Sequence, residues 1–161
     1  DAVTRYEPAG FDVIAGQSGS GQLVETTRER MAILNESLKY VSKQYDHLFI
    51  DLGAGIDSGV RALTDIAQDC LIVVTDEPTS LTDAYAFIKV ATALYPTLKM
   101  KIVVNQADSE LSGRRTFNTL LKVCDNFLKI QPELAGIIRR DTKVKDSIKV
   151  NMRRKLDSRV I

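Results

Sequence analysis

The sequence lacks any apolar run near the roughly 18 residues that a membrane-spanning helix requires, so a helical span is excluded. Its first residues, DAVTRYEPAG, are polar and do not read as a signal peptide. Cysteine and histidine are scarce: Cys70, Cys124 and His47, with no CxxC pair. That argues against a disulfide framework and against a Cys/His metal centre. Both cysteines fall in patterns that read as buried strand and helix, and two reduced core thiols in the cytoplasm are expected. Charge of one sign is also lacking. Lys and Arg total 22 against 21 Asp and Glu, a net of +1, so nothing draws the whole chain to nucleic acid and no direct contact with it is expected. No repeat, low-complexity segment or linker interrupts the chain.

What is present is an ordinary globular composition, 44% hydrophobic and 27% charged, which excludes a disordered tail. The 161 residues suit a single domain. At this size about two-thirds of the unfolded chain's surface is buried on folding. Periodicity predicts strands at Phe11–Ala15, His47–Leu52, Cys70–Thr75, Lys101–Asn105 and Leu134–Ile138. Helices are predicted at Leu23–Lys43, Gly59–Gln68, Ser80–Tyr95, Gly113–Lys129 and Lys143–Met152, the third capped by Ser80 or Thr82 and stopped by Pro96. Alternating strands and helices, with continuous apolar strands, predict an α/β fold: a three-layer parallel sheet with helices on both faces. Ligands of such folds bind beyond the carboxyl ends of the strands. The segments to inspect are therefore 16–21, 51–57, 75–83, 105–108 and 139–141.

Gly16-Gln-Ser-Gly-Ser-Gly21 lies between a strand and a helix, as a phosphate loop does. Gln22 and Leu23 stand where that motif has Lys and Ser/Thr, so neither the charge clamp nor the Mg²⁺ hydroxyl is available there. A plain turn is the better reading. Asp51, near the end of an apolar run, is costly to bury without a partner. Mg²⁺ held through water is one such partner, and an Asp capping the next turn is the alternative. Gly53 and Gly55 beside it let backbone approach a phosphate. The oxygen-rich stretch 75–83 fits either a ligand or helix capping. Asn105 has a carboxamide that matches a purine edge, and equally suits a turn. His47 and the stripe Leu120, Val123, Cys124 and Phe127 read as structural. From Arg139 onward, nine basic residues face three acidic ones. That run is either a solvated face or a contact for an anionic membrane or acidic partner.

Taken together, the motifs resemble the MinD/ParA family of P-loop ATPases. YDHLFIDLGAGIDSGV resembles the family's Tyr-Asp pair, apolar strand and Asp-x-x-Ala-Gly motif. VVTDEPTSLTDAYAFIKV resembles the flagellar-number regulators of the FlhG/FleN type, with Asp76 where they usually have Pro. KIVVNQAD, GRRTFNTLLKVC and LAGIIRRDTKVKDSI are similar to the same subfamily, and the likeness runs over about residues 10–150.

The resemblance implies ATP and Mg as cofactors. Asp51 would be the catalytic residue and would hold the Mg shell. Gly53, Ala54 and Gly55 would lie near the γ-phosphate, Asn105 would face adenine, and Arg140 and Asp141 would lie near the base. It also implies an ATP-bound homodimer and peripheral contact with the inner membrane. Implied partners are a flagellar SRP-like GTPase, or switch-ring or transcription components.

The family's lysine-bearing phosphate loop and its strand have no counterpart here. Residues 1–161 are therefore expected to be the C-terminal part of a MinD-like ATPase domain, inactive alone, as the start at Asp1 also suggests. The strands at 47–52 and 70–75 would otherwise pair directly, or with a second chain. Competing readings are another ParA/MinD-type spatial regulator of division site or cargo, a non-catalytic scaffold, and a phospho-receiver-like switch, for which 16–18 offers no acidic pair.

Overall fold

The computed structural model describes residues 3–15, 27–53, 63–64, 67–144 and 146–147. Five strands and three helices are defined among them: β1 Val3–Tyr6, β2 Phe11–Ile14, α1 Arg28–Ser42, β3 Asp69–Val74, α2 Pro78–Leu94, β4 Lys99–Ala107, α3 Glu110–Leu128 and β5 Glu133–Arg139.

The expected α/β architecture is present. Strands β3, β4 and β5 form a parallel sheet in that order, with Ile72 opposite Ile102 and Val104 opposite Ile137. Crossovers between parallel neighbours are right-handed almost without exception, which puts successive helices on one face when strands are added in chain order. The packing agrees. Ile72 and Val74 of β3, Ile102 and Val104 of β4, Ala84 and Ile88 of α2, and Leu120 and Cys124 of α3 form one buried cluster. Strand alternation turns Leu71 and Val73 to the other face, where they are 48% and 58% exposed.

Local signals account for the helix ends. Pro78 occupies the first position of α2, where its missing N–H costs nothing. Ser80, expected as a cap, instead accepts a hydrogen bond from the Thr75 N–H (3.0 Å). Thr82 donates to the Pro78 carbonyl (2.8 Å). Helix α3 begins at Glu110, three residues before the predicted Gly113. The cause is a reciprocal cap: Ser109 Oγ accepts from the Ser112 N–H (3.1 Å), and Ser112 Oγ accepts from the Ser109 N–H (2.9 Å). Thr27 caps α1 through the Arg30 N–H (3.4 Å).

Two expectations are corrected. Phe11–Ile14 does not join the parallel sheet. It forms an antiparallel hairpin with Val3–Tyr6, in the register Val3 to Ile14 and Tyr6 to Phe11. The turn between them uses Gly10 at φ 71°, a conformation glycine adopts freely, and closes through Gly10 N–H to the Tyr6 carbonyl (3.0 Å). The second correction is His47–Leu52, which makes no ladder and does not re-pair with β3. An apolar run becomes a strand only when a neighbour takes up its backbone N–H and C=O groups, and no described strand lies along it. Phe49 is accordingly 80% exposed. Most of the helix predicted at 59–68 lies outside the described residues, with 63–64 helical. Of the last predicted helix, Lys143–Met152, residues 143–144 and 146–147 are helical and the rest lies outside the described residues.

Candidate functional site

Four of the inspected residues, Asn105, Asp108, Arg140 and Asp141, lie at the carboxyl ends of β4 and β5, and of their side chains Asp108 and Arg140 meet. β4 runs two residues past its predicted end, and its register with β5 shifts between Val104 and Ala107. The irregularity is local to Gln106, at φ 56°. Asn105 supports that turn: its Oδ1 accepts from the Gln106 N–H (2.9 Å). The carboxamide oxygen is thus engaged locally, while the amide nitrogen keeps its two donors. Beyond the bulge, the Arg140 N–H donates to the Ala107 carbonyl (2.9 Å), tying the two strand ends. The Arg140 Nε lies 3.7 Å from Asp108 Oδ1. Both side chains are well exposed, so this pair is screened and orients more than it stabilises. Asp141 Oδ1 accepts from the Lys143 N–H (2.8 Å), capping the final helical turn.

Asp108 and Arg140 thus form an ion pair across the two strand ends, with Asn105 and Asp141 engaged locally on either side. These strand ends offer a half-buried amide, an exposed guanidinium and two carboxylates. Asp108 falls within the 105–108 segment, and its pairing with Arg140 is a feature that the segment's spacing does not reveal. A signal was available in an acidic residue directly after one strand and arginines directly after the next.

Asp51 and Gly53 lie elsewhere. Asp51 is exposed. Gly53 has open space where a Cβ would project, so backbone there is approachable. Among the described residues, no hydrogen bond or ion pair links either to these strand-end residues. Ala54 and Gly55 lie outside the described residues, as does the 16–21 loop. The 75–83 segment spends its oxygens locally: besides Ser80 and Thr82, Thr75 Oγ1 accepts from the Glu77 N–H (3.4 Å). The ring of His47 rests 6.3 Å from that of Phe49. Among the described residues, no group of three or more His, Cys, Asp or Glu could hold a metal on its own.

A cleft of about 550 Å³ opens at the opposite end of the sheet, between Gln68, Asp69 and the turn Leu94–Lys99. It faces the amino ends of β3 and β4, the end that α/β folds do not normally use for ligands.

These features define a parallel α/β domain with polar residues at the carboxyl edge of its sheet. No family model matches the chain. It is 34% identical over 141 residues to the antiactivator FleN of Pseudomonas aeruginosa, a match covering 88% of this chain and 50% of FleN. It is 30% identical over 147 residues to the flagellum site-determining protein YlxH of Helicobacter pylori, covering 90% of this chain and 49% of YlxH. A ParA family ATPase from Chlorobium tepidum TLS, solved by crystallography, shares the fold with a TM-score of 0.68 at 21% identity, over 89% of this chain and 55% of that one. The chain belongs to the MinD/ParA-type family, and within it is similar to the FleN/FlhG flagellar regulators. It spans about half the length of the curated relatives it matches. Among the described residues, no helix is long and apolar enough to cross a membrane.

Proposed function

We propose that this chain is the C-terminal part of the ATPase domain of a MinD-like regulator that sets flagellar number or placement. The observation that carries the reading is the 34% identity to FleN across nearly the whole chain. In this reading Asp51 holds Mg²⁺ through water beside the γ-phosphate, and Gly53, Ala54 and Gly55 let backbone N–H groups approach it. Asn105 offers its free amide donors to adenine, with Arg140 and Asp141 flanking the base. Mg·ATP supplies the transferable phosphoryl group and most of the local positive charge.

The chain's own residues position rather than react. The bulge at Gln106 aims Asn105, and the bond from Arg140 to Ala107 keeps the base-side loops together. ATP binding would drive dimerisation of the whole protein. The dimer would then engage a flagellar SRP-like GTPase, or switch or transcription components, with peripheral membrane contact through the basic segment that follows Arg139.

The test uses the full-length protein. Asp51→Ala should lower ATP turnover about 10²-fold, the scale of losing one strong electrostatic element at a phosphoryl centre, and should change flagellar number in cells. An unchanged turnover would overturn the assignment of Asp51.

A further inference from the structure

The β1–β2 hairpin has no ladder to the three-stranded sheet, and a two-stranded ribbon alone is marginal in water. Two contacts close it internally. Tyr6 and Phe11 pair across its turn end, with ring centroids 5.2 Å apart. Arg5 Nη1 donates to Asp12 Oδ1 (3.1 Å) across the strands. A third contact leaves the hairpin. The Tyr45 hydroxyl donates to the other oxygen of the same carboxylate, Asp12 Oδ2, at 2.6 Å.

Tyr45 sits at the head of the segment that runs through Phe49 to Asp51. It is reached from α1 by a turn in which the Gln44 N–H donates to the Val41 carbonyl (2.9 Å). Asp12 therefore uses each oxygen for a different partner, one inside the hairpin and one 33 residues away. Its side chain is only 20% exposed, although Arg5 is half exposed. An O–H to carboxylate bond this short belongs to the strong, charge-assisted class. Ordinary exposed ion pairs contribute little. Here one partly shielded carboxylate serves two donors, and loss of either leaves the other less well oriented.

We propose that Asp12 is a clasp that joins the hairpin to the segment carrying Asp51, so that the two move as one unit. Any ligand or partner that displaces residues 45–53 then loosens β1–β2, and a partner seated on the hairpin restrains Asp51. The proposal goes beyond the nucleotide reading and holds whether or not ATP binds.

The test is amide hydrogen exchange on the full-length protein without nucleotide. The readout is the ladder amides of residues 3–14, none of which touches the Tyr45 hydroxyl. Tyr45→Phe should speed their exchange about three- to tenfold, the scale of one charge-assisted bond at a partly exposed site. Amides of β3–β5 should stay unchanged. Asp12→Asn, which keeps an acceptor, should fall between wild type and Asp12→Ala. The double variant Asp12→Ala/Tyr45→Phe should exchange no faster than Asp12→Ala alone. Hairpin exchange unmoved by Tyr45→Phe would overturn the clasp. So would multiplied, independent effects in the double variant. A general rise that includes β3–β5 would also overturn it, by showing global destabilisation instead.

Discussion

Gly113 of α3 lies so close beneath Ile137 of β5 that a Cβ placed on it would come within 2.5 Å of Ile137 Cγ2. This contact sets how near the helix approaches the edge of the sheet. In a helix interior, alanine ordinarily gains about 1 kcal/mol over glycine. Here overlap reverses the sign. Gly113→Ala should destabilise the chain by about 1–3 kcal/mol, as overpacking does. Chemical denaturation would measure it, and the penalty should shrink when Ile137 is also changed to Ala. A stabilised Gly113→Ala protein would mean the helix can move away freely.

The serine pair at the start of α3 gives a second expectation. Ser109→Ala removes the oxygen that receives the Ser112 N–H, and should cost about 1 kcal/mol in urea unfolding. Ser109→Asp should restore most of it, because a carboxylate caps equally well and favours the helix N-terminus.

The clasp has a defined pH window. The Tyr45 hydrogen bond, and secondly that of Arg5, hold the Asp12 carboxyl below its usual range. A depressed carboxyl contributes stability above its unfolded value, near 4, and loses it as pH falls through the lower folded value. The hydrogen bond to Asp12 is the leading cause that raises the Tyr45 phenol. That contribution is complete below the ordinary phenol value, near 10, and fades as pH rises through the higher folded one. Ultraviolet titration should find Tyr45 ionising late, and Asp12→Asn should bring it back toward the ordinary range.

The thiols offer a fourth check. Burial raises both Cys70 and Cys124, so each is held as the neutral thiol at neutral pH. The resulting stability is complete below the ordinary thiol value, near 8.5, and declines as pH rises through the folded values. A disulfide-exchange reagent should label both slowly in the native protein. Cys70, which is partly exposed, should react before the fully buried Cys124. Equal and rapid labelling of both would mean that the core opens readily.

Much of the sheet was legible because its residues leave little choice. CLIVVT, KIVVN and LAGII are short, β-rich and bounded by turns, and each lies within an observed strand or reaches one residue past it. The hairpin was not legible in the same way. VTRY holds only two residues of strong apolar or aromatic character beside an arginine, and its pairing depends on Gly10, four residues beyond it. HLFIDL misled for a different reason. Its composition is that of a strand, but composition does not supply a neighbour. Near the carboxyl ends of the sheet, Arg140 and Asp141 follow β5 as the pattern implied, whereas Asn105 lies inside β4, which runs on to Ala107. The oxygen of Asn105 going to Gln106, and Asp108 reaching Arg140, depend on a bulge in β4 that spacing does not reveal.

The sequential strand order has a kinetic consequence. Asp69 pairs with Lys99, and Lys101 with Glu133, so each ladder joins residues only about thirty positions apart. Low sequence separation makes loop closure cheap and assembly fast for a parallel sheet. Residues 69–139 should therefore form the slowest-exchanging block of the chain and act as its folding nucleus. On a ribosome, β3, α2 and β4 can begin to assemble before β5 emerges, and β5 then closes the block by docking Ile137 over Gly113.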